Sequence, residues 1–527
     1  MSTSLSELES KTRKSPAAKA LHDLLLILQN WLPAIVCFLP SILLLGFVPP
    51  TFNYSDSATL LTYDMNMLVP HWPPLYPLFL KTILTACGYS DTALYTIVGV
   101  QHLIAASGAA YICYAVRGLG ARLFLAFTVV VANYFNVFTH GIYTEAVSCG
   151  LLLWLLGAAI RLGTFSALEL DRMIAQIIFE IPFCPTSTPK ALTSRRLALA
   201  VTFTSLLLMT LTRYNMYIFA AVIPGIYLFQ FCCEAKFRRQ EFFASLGLCV
   251  LAFIVAQGAN SAFGRIYSCD MASRFGRPAA YRLHELPWKT MSAQEREHLK
   301  GNMLRRCPDD FTKFALNTMI EDNNPWIGSH TMIDAWSSRF HTKKTADQAM
   351  NDAALAFFLT PNKYLLAEIG NTFNSYMGEH NSTFTSAENL SEVAVMLYRK
   401  SPDIDKHMRL FPILRRTQPE DYRVITRFLR PASFDGVCRY YWLGGLTLLI
   451  GFAGFLAKRL STGYFSLLFT FSLSIVLYAG LSAAVTEFVP RYLIPVNELV
   501  WLSIAMLIIG LCKPTAKVDK SANHSVI

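Results

Sequence analysis

The 527-residue chain is short of charge: only 15% of it is Asp, Glu, Lys or Arg, while 53% is hydrophobic. With a mean hydropathy of +0.37, that shortage excludes most water-soluble readings. The motifs of several chemistries are also missing. The 12 cysteines include no CxxC pair, and neither HExxH nor GxxxxGK[ST] occurs, so thioredoxin-type, zincin-type and ATP-driven reactions lack their signatures. Most cysteines fall in apolar stretches, where a free thiol acts as a small hydrophobe. Acids are the scarcer charge, 35 against 46 bases, for a formal net charge of +11. In a soluble protein that excess points to nucleic acid; in a membrane protein basic residues set topology.

A bilayer core of ~30 Å takes about 20 apolar residues in a helix. Ten runs approach that length, at 27–48, 92–116, 122–139, 146–163, 197–212, 216–233, 242–262, 441–457, 464–486 and 493–511. The first follows a polar tail containing Lys and Arg, is too long for a cleavable signal and lacks an A-x-A exit, so it reads as a retained anchor. With the amino terminus inside, the inner segments hold 19 basic residues, and the short outer segments hold only Lys81, Arg213 and Arg491. Both termini are therefore expected to be cytoplasmic. The run PLYPLFLKTILTAC at 74–87 is short and broken by Pro77 and Lys81. As a span it would turn the basic loops outward, so it is read as a short juxtamembrane helix at the outer interface.

Three parts are expected: an amino-terminal membrane module over 1–263 with seven spans, an extracytoplasmic domain over 264–438, and a carboxy-terminal membrane module over 439–527 with three spans and a cytoplasmic tail. The middle domain should be mainly α. Ser292–Glu295 and Thr385–Glu388 fit the capping-box pattern, and AALAFFL before Pro361 predicts a helix. Asn53, Asn381 and Asn389 open outward glycosylation sequons.

Charges that survive beside a membrane are costly and often functional, which directs attention to the outer loops. The first loop carries Asp56, Asp64 and His71, the second His140 and Glu145, the third Arg213 and Tyr214, and the last Glu487, Arg491 and Tyr492. Acids and arginines gathered on one face suggest a carboxylate base beside guanidinium groups that hold a phosphate. The planar fork of Arg suits phosphate oxygens, and a carboxylate at a low-dielectric rim gains proton affinity.

In their order and sidedness these features resemble the GT-C membrane glycosyltransferases, a family that includes protein O-mannosyltransferases and the aminoarabinose transferases that modify lipid A. The shared features are Asp56 in NYSDSATLL just after the first span, WPPLYPLFL at 72–80, YTEA at the acidic end of the second outer loop and LTRYNM after the fifth span. A large outer domain after the seventh span and RYLIP at 491–495 complete the pattern. The resemblance implies a GT-C-like all-α bundle of about ten transmembrane helices, with juxtamembrane helices in the first outer loop. It implies transfer of a sugar from a polyprenyl-phosphate carrier to a lipid, glycan or protein acceptor on the outer side. Asp56 would deprotonate the acceptor, Arg213 and Arg491 would neutralise the departing lipid phosphate, and attack from the face opposite the phosphate would invert the anomeric centre. The chain departs from the family at two places: Asp56 is followed by Ser57 where the O-mannosyltransferases carry an acidic pair, and His71-Trp72 stands where the lipid A enzymes have Glu-Lys.

Plainer readings stand beside these. Asp56 could cap a helix, worth about 1 kcal/mol. Asp64, eight residues on, points some 80° away and is unlike a proton-sharing partner. Glu145 could be an acid at a helix amino terminus. Arg213 and Arg491 could snorkel to headgroups, and the Trp72 to Tyr76 cluster could be an aromatic belt instead of a surface that stacks acceptor or lipid. His71 and His140 could join a carboxylate around a divalent metal, but they form no strong ligand set.

The reading adopted has Asp56 and Glu145 as catalytic residues, and Arg213, Tyr214, Arg491, Tyr492, Trp72 and Tyr76 as substrate-binding residues, with no metal site and no nucleic-acid partner. The chain is placed in a bacterial cytoplasmic membrane, with the endoplasmic reticulum as the alternative. The rival function is a multipass transporter or flippase of lipid-linked sugar, for which His102 and Glu498 are the candidate mid-membrane ionisable groups. On the adopted reading Arg491→Ala should weaken donor dependence in a transfer assay; an unchanged dependence would make Arg491 an anchor only.

Overall fold

The computed structural model describes residues 16–50, 60, 73–132, 139–164, 194–233, 239–266, 276–321, 328–375, 442–485 and 494–512. The described residues form helices and no strand. Each of the ten apolar runs coincides with helix: α1 (Pro16–Phe47), α3 (Asp91–Cys113), α4 (Leu119–Ala132), α5 (Thr144–Thr164), α6 (Ser194–Thr212), the 3-10 segment Tyr214–Ala221 continuing into α7 (Val222–Cys233), α8 (Arg239–Ile266), α15 (Trp442–Leu456), α16 (Thr462–Val485) and α17 (Ile494–Cys512). Six are long and apolar enough to cross a membrane by length and composition: Asn30–Phe47, Asp91–Cys113, Thr144–Thr164, Asn215–Cys232, Glu241–Ile266 and Thr462–Ala484. The remaining runs form shorter apolar helices. The 74–87 run is α2 (Leu75–Cys87), a 13-residue helix. It stops at Gly88, whose φ of +66° suits a residue without a side chain. Then α3 begins with Ser90 Oγ accepting the Ala93 amide at 3.2 Å, followed by Asp91 in the first turn.

The sixth run is not α-helical throughout, and Pro224 supplies the reason. Without an amide hydrogen it cannot bond the Ala220 carbonyl, so a continuous α-helix cannot pass this point with its ladder complete. That carbonyl instead takes the thiol of Cys249 from α8, at 3.2 Å.

Helix α5 is the centre of the bundle: 94% of its span is buried inside the protein, against 22% of α8, whose Phe243, Ile254 and Leu251 lie exposed as lipid-facing residues would. Its closest partner is α3. Small residues set that approach. A Cβ added at Gly108 would lie 2.9 Å from the Gly150 carbonyl oxygen, and one added at Gly157 would lie 2.5 Å from the Tyr111 ring. Where lipid is as apolar as the side chains, such close backbone packing is a main source of helix association.

A second apolar core lies in the chain between α8 and α15. It is built from α9 (Gly276–Glu285), α10 (Ala293–Leu304), α11 (Asp310–Glu321), α12 (Gly328–Trp336), α13 (Ala346–Phe358) and α14 (Lys363–Asn374). Ser292 and Glu295 form the expected capping box, a second one joins Thr345 and Gln348, and AALAFFL lies on α13. Thr385–Glu388 lies outside the described residues. The two cores meet through α14, whose Ile369 packs against both, and through Arg282 of α9. Fully buried, Arg282 donates to Glu285 at 2.8 Å and to the Ala483 carbonyl near the end of α16 at 2.7 Å, where a cation meets the negative end of the helix dipole.

The glycine seam predicts a paired outcome. Gly108→Ala should lower thermal stability in detergent by roughly 1–3 kcal/mol through overpacking. Gly99→Ala on the same helix, where an added Cβ meets open space, should be neutral or stabilising.

Candidate functional site

Helix ends separated widely in sequence collect at one end of the bundle. Glu145 is the second residue of α5, and Arg213 follows the last residue of α6. There the Arg213 guanidinium pairs with Glu145 Oε1, with 14% and 4% of the two side chains exposed. The other carboxylate oxygen accepts the Thr144 hydroxyl at 2.9 Å. Arg213 is held because the α6 ladder ends on it: its amide still bonds Met209 at 2.7 Å, while its own backbone is extended, at φ −158° and ψ 119°, and opens the 3-10 turn that starts at Tyr214. Asn215, next along, bonds the Tyr478 hydroxyl of α16 at 3.1 Å. Helix α17, which carries Glu498, packs against α5. Glu498 is fully buried, and neither carboxyl oxygen has a hydrogen-bond partner among the described residues.

The sequence therefore brings Glu145 and Arg213 into direct contact, and the bond is stronger than the expected proximity. Glu145 is engaged by Arg213 and by the Thr144 hydroxyl. Tyr76, expected to face a substrate, is buried with 1% exposure, and its hydroxyl donates to Gln101 Oε1 at 2.7 Å. In this arrangement its polar atom serves packing. Tyr214 begins the 3-10 segment. Asp56, Asp64, His71, Trp72, Glu487, Arg491 and Tyr492 lie outside the described residues.

His140 has both ring nitrogens engaged, Nδ1 with His102 at 3.0 Å and Nε2 with the Val48 carbonyl at 2.8 Å. No lone pair is left over for a metal in that state. Among the described residues no group of three or more His, Cys, Asp or Glu side chains is placed to hold a metal ion.

Gln101, His102, Ser41 and Arg282 are the site-end residues that composition did not single out as a group. Their signal was faint but present: Gln101 and His102 are adjacent polar residues in the middle of the 92–116 run, where such groups demand a partner.

With its long apolar helices, the chain is a polytopic α-helical integral membrane protein. No protein-family model and no curated protein matches it. Two solved structures are similar. ArnT from Cupriavidus metallidurans bound to undecaprenyl phosphate superimposes with a TM-score of 0.30 at 9% identity, covering 92% of this chain and 77% of that one. ArnT from the same organism in the apo state gives a TM-score of 0.30 at 10% identity, covering 89% and 78%. The chemistry has to be read from this chain's own residues.

The ion pair makes a stability prediction. Arg213→Ala strands the Glu145 carboxylate in a buried place and should lower stability by about 3 kcal/mol. Glu145→Gln combined with Arg213→Gln should recover most of that loss, read as thermal unfolding of the full chain in detergent. Equal losses in both variants would show that the pair's charge is unimportant.

Proposed function

We propose that the chain is an inverting glycosyltransferase that moves a sugar from a polyprenyl-phosphate carrier to an acceptor at the extracytoplasmic face, with Asp56 as general base. The observation that carries this reading is the Glu145 and Arg213 pair, a guanidinium fixed by a buried carboxylate at the end of the bundle where α1, α5 and α6 present their outer-loop ends. Five N–H donors belong to an arginine. Glu145 holds the Arg213 guanidinium at this end of the bundle, where its positive charge would meet the negative charge of a phosphate.

On this reading the Asp56 carboxylate takes the proton of an acceptor hydroxyl as its oxygen attacks the anomeric carbon. The bond from that carbon to the phosphate oxygen breaks, and the electron pair leaves with the lipid phosphate. Arg213 and Arg491 meet the charge as it develops, which is where fixed donors accelerate a reaction. Glu145 keeps Arg213 from swinging to the headgroups. Trp72, Tyr214 and Tyr492 would border the sugar and the lipid. The 264–438 domain, reaching the bundle through α14 and Arg282, would lie over the site and select the acceptor. Both termini would be cytoplasmic.

The alternative, a transporter or flippase, draws on one observation: Glu498 is the kind of intramembrane acid that coupled carriers use. The two readings separate in one experiment. Membranes containing the full chain are given a panel of radiolabelled polyprenyl-phosphate sugars, and the envelope glycolipids and glycoproteins are analysed by mass. Asp56→Asn should cut transfer by about 10³-fold while folded yield is unchanged, and Glu498→Gln should retain transfer. Full transfer by Asp56→Asn would overturn the enzyme reading. Loss of lipid-sugar crossing in Glu498→Gln with Asp56→Asn unaffected would establish the carrier.

A further inference from the structure

The first span ends beside a chain of three polar side chains that the proposed reaction does not use. Helix α1 closes at Phe47, and its final carbonyls have no helical amide to accept from. His140, in the turn before α5, supplies a donor: Nε2 lies 2.8 Å from the Val48 oxygen. A carbonyl only accepts, so that nitrogen carries the hydrogen. In a neutral imidazole Nδ1 is then an acceptor, and the atom 3.0 Å from it is Nε2 of His102, which must donate. This leaves His102 Nδ1 as an acceptor, and the Ser41 hydroxyl at 3.0 Å donates to it. Every atom has a single role, and the direction of the whole chain follows from the Val48 carbonyl at its end.

The relay leaves α1 at Ser41, crosses α3 and the 139–143 turn, and returns to α1 at Val48. Ser41, His102 and His140 are 4%, 1% and 1% exposed, so bulk solvent does not reach them. Gln101 prevents the turn from drifting. Its amide nitrogen donates to the carbonyls on both sides of His140, Thr139 at 2.9 Å and Gly141 at 2.7 Å, and its oxygen accepts from Tyr76 of α2.

We propose that Ser41, His102 and His140 are positioning residues, a one-directional relay of neutral groups that fixes the outer end of the first span, from which the chain runs on to Asp56. The role of Asp56 belongs to the glycosyltransferase reading; the relay itself stands without it. A proton added to His140 Nδ1 would set two N–H groups against each other unless His102 reversed its tautomer. From α1 the ring faces the Ser41 relay and the Val48 and Pro49 carbonyls, from α3 His102 and Gln101, and from α2 Tyr76 through Gln101. None of these is a carboxylate. Burial accordingly holds His140 at about 4, below its ordinary 6.5.

Two measurements on the full chain in detergent test this, and neither involves sugar, so failure here is separate from failure of the enzyme reading. With 15N-labelled imidazoles, assigned by the signals lost in His102→Gln and His140→Gln, both rings should show the neutral Nε2–H tautomer at pH 8 and keep it at pH 5.5. An Nδ1–H tautomer on either ring, or titration near 6.5, would overturn the relay. Hydrogen exchange then reads the anchoring. His140→Phe should speed exchange of the Val48 amide, which bonds Leu44 at 2.9 Å, by about tenfold or more, and His140→Gln, which keeps a donor, should stay within about threefold of the parent. Unchanged exchange in His140→Phe would mean that the relay holds nothing. Should that variant fail to fold, Ser41→Ala against Ser41→Thr asks the same question from the other end, with the same exchange reading deciding it.

Discussion

Below the outer end of this bundle there is no water to satisfy a stray polar group, so each buried donor and acceptor must find its partner on another helix or remain expensive. That constraint explains more of the architecture than any single apolar contact. Hydrophobic packing alone is weakly directional among helices in lipid, and a bundle of leucine-rich rods could settle in many registers. Polar pairs select among them. The Arg213 guanidinium fixes α6 against α5, Asn215 fixes the following turn against α16, and the histidine relay fixes α1 against α3 and the turn before α5. All three sit toward the end at which the outer loops emerge, and the glycine seam between α3 and α5 provides the close approach that lets them meet.

The helices between α8 and α15 obey the same rule. Arg282 could have been a solvated surface arginine on a polar helix, yet it is fully buried and spends its fork on Glu285 and on a carbonyl at the end of α16. Removing a cation from water is repaid here by a carboxylate, by the orphan carbonyl and by the helix dipole together. The consequence is mechanical: α9 is tied to the end of the helix that leads to the RYLIP segment.

How much of this was legible beforehand follows from the range of the forces involved. Hydropathy runs are local sums over about 20 residues, and the described parts of all ten are helical, as is 75–87. Capping is equally local, which is why Ser292 and Glu295 behave as their spacing required. A hydropathy sum passes over Pro224, and over the 3-10 start of the sixth run with it. The partners were not readable. His140 meets Val48 across 92 positions of sequence and Gln101 meets Gly141 across 40, and nothing in the local pattern of either stretch names the other. The sequence placed Glu145 and Arg213 on the same side by counting basic residues in loops; it could not show that they touch. Tyr76 shows the same limit. An aromatic residue beside a double proline reads as a platform, and only the packing of α2 on α3 shows that its hydroxyl is already engaged.

Glu498 is the point at which these arguments press hardest on function. Glu145, Arg213, His102, His140 and Arg282 each have a counter-charge, a carbonyl, a hydroxyl or a ring nitrogen to answer them, whereas this carboxyl has no partner among the described residues. An acid buried in that way is stable when it holds a proton or when a cation comes to it. A glycosyl transfer releases one proton from the acceptor and builds negative charge on a phosphate close to Arg213. A Glu498 carboxyl that holds its proton is neutral, so it neither attracts nor repels an anion near Arg213. On the transferase reading a phosphate would be held by Arg213 and not by Glu498, whereas on the carrier reading the Glu498 proton or a bound cation would be what moves. That distinction, between a site that retains its anion and a path that conducts a proton or cation, is the physical difference between the transferase and the carrier.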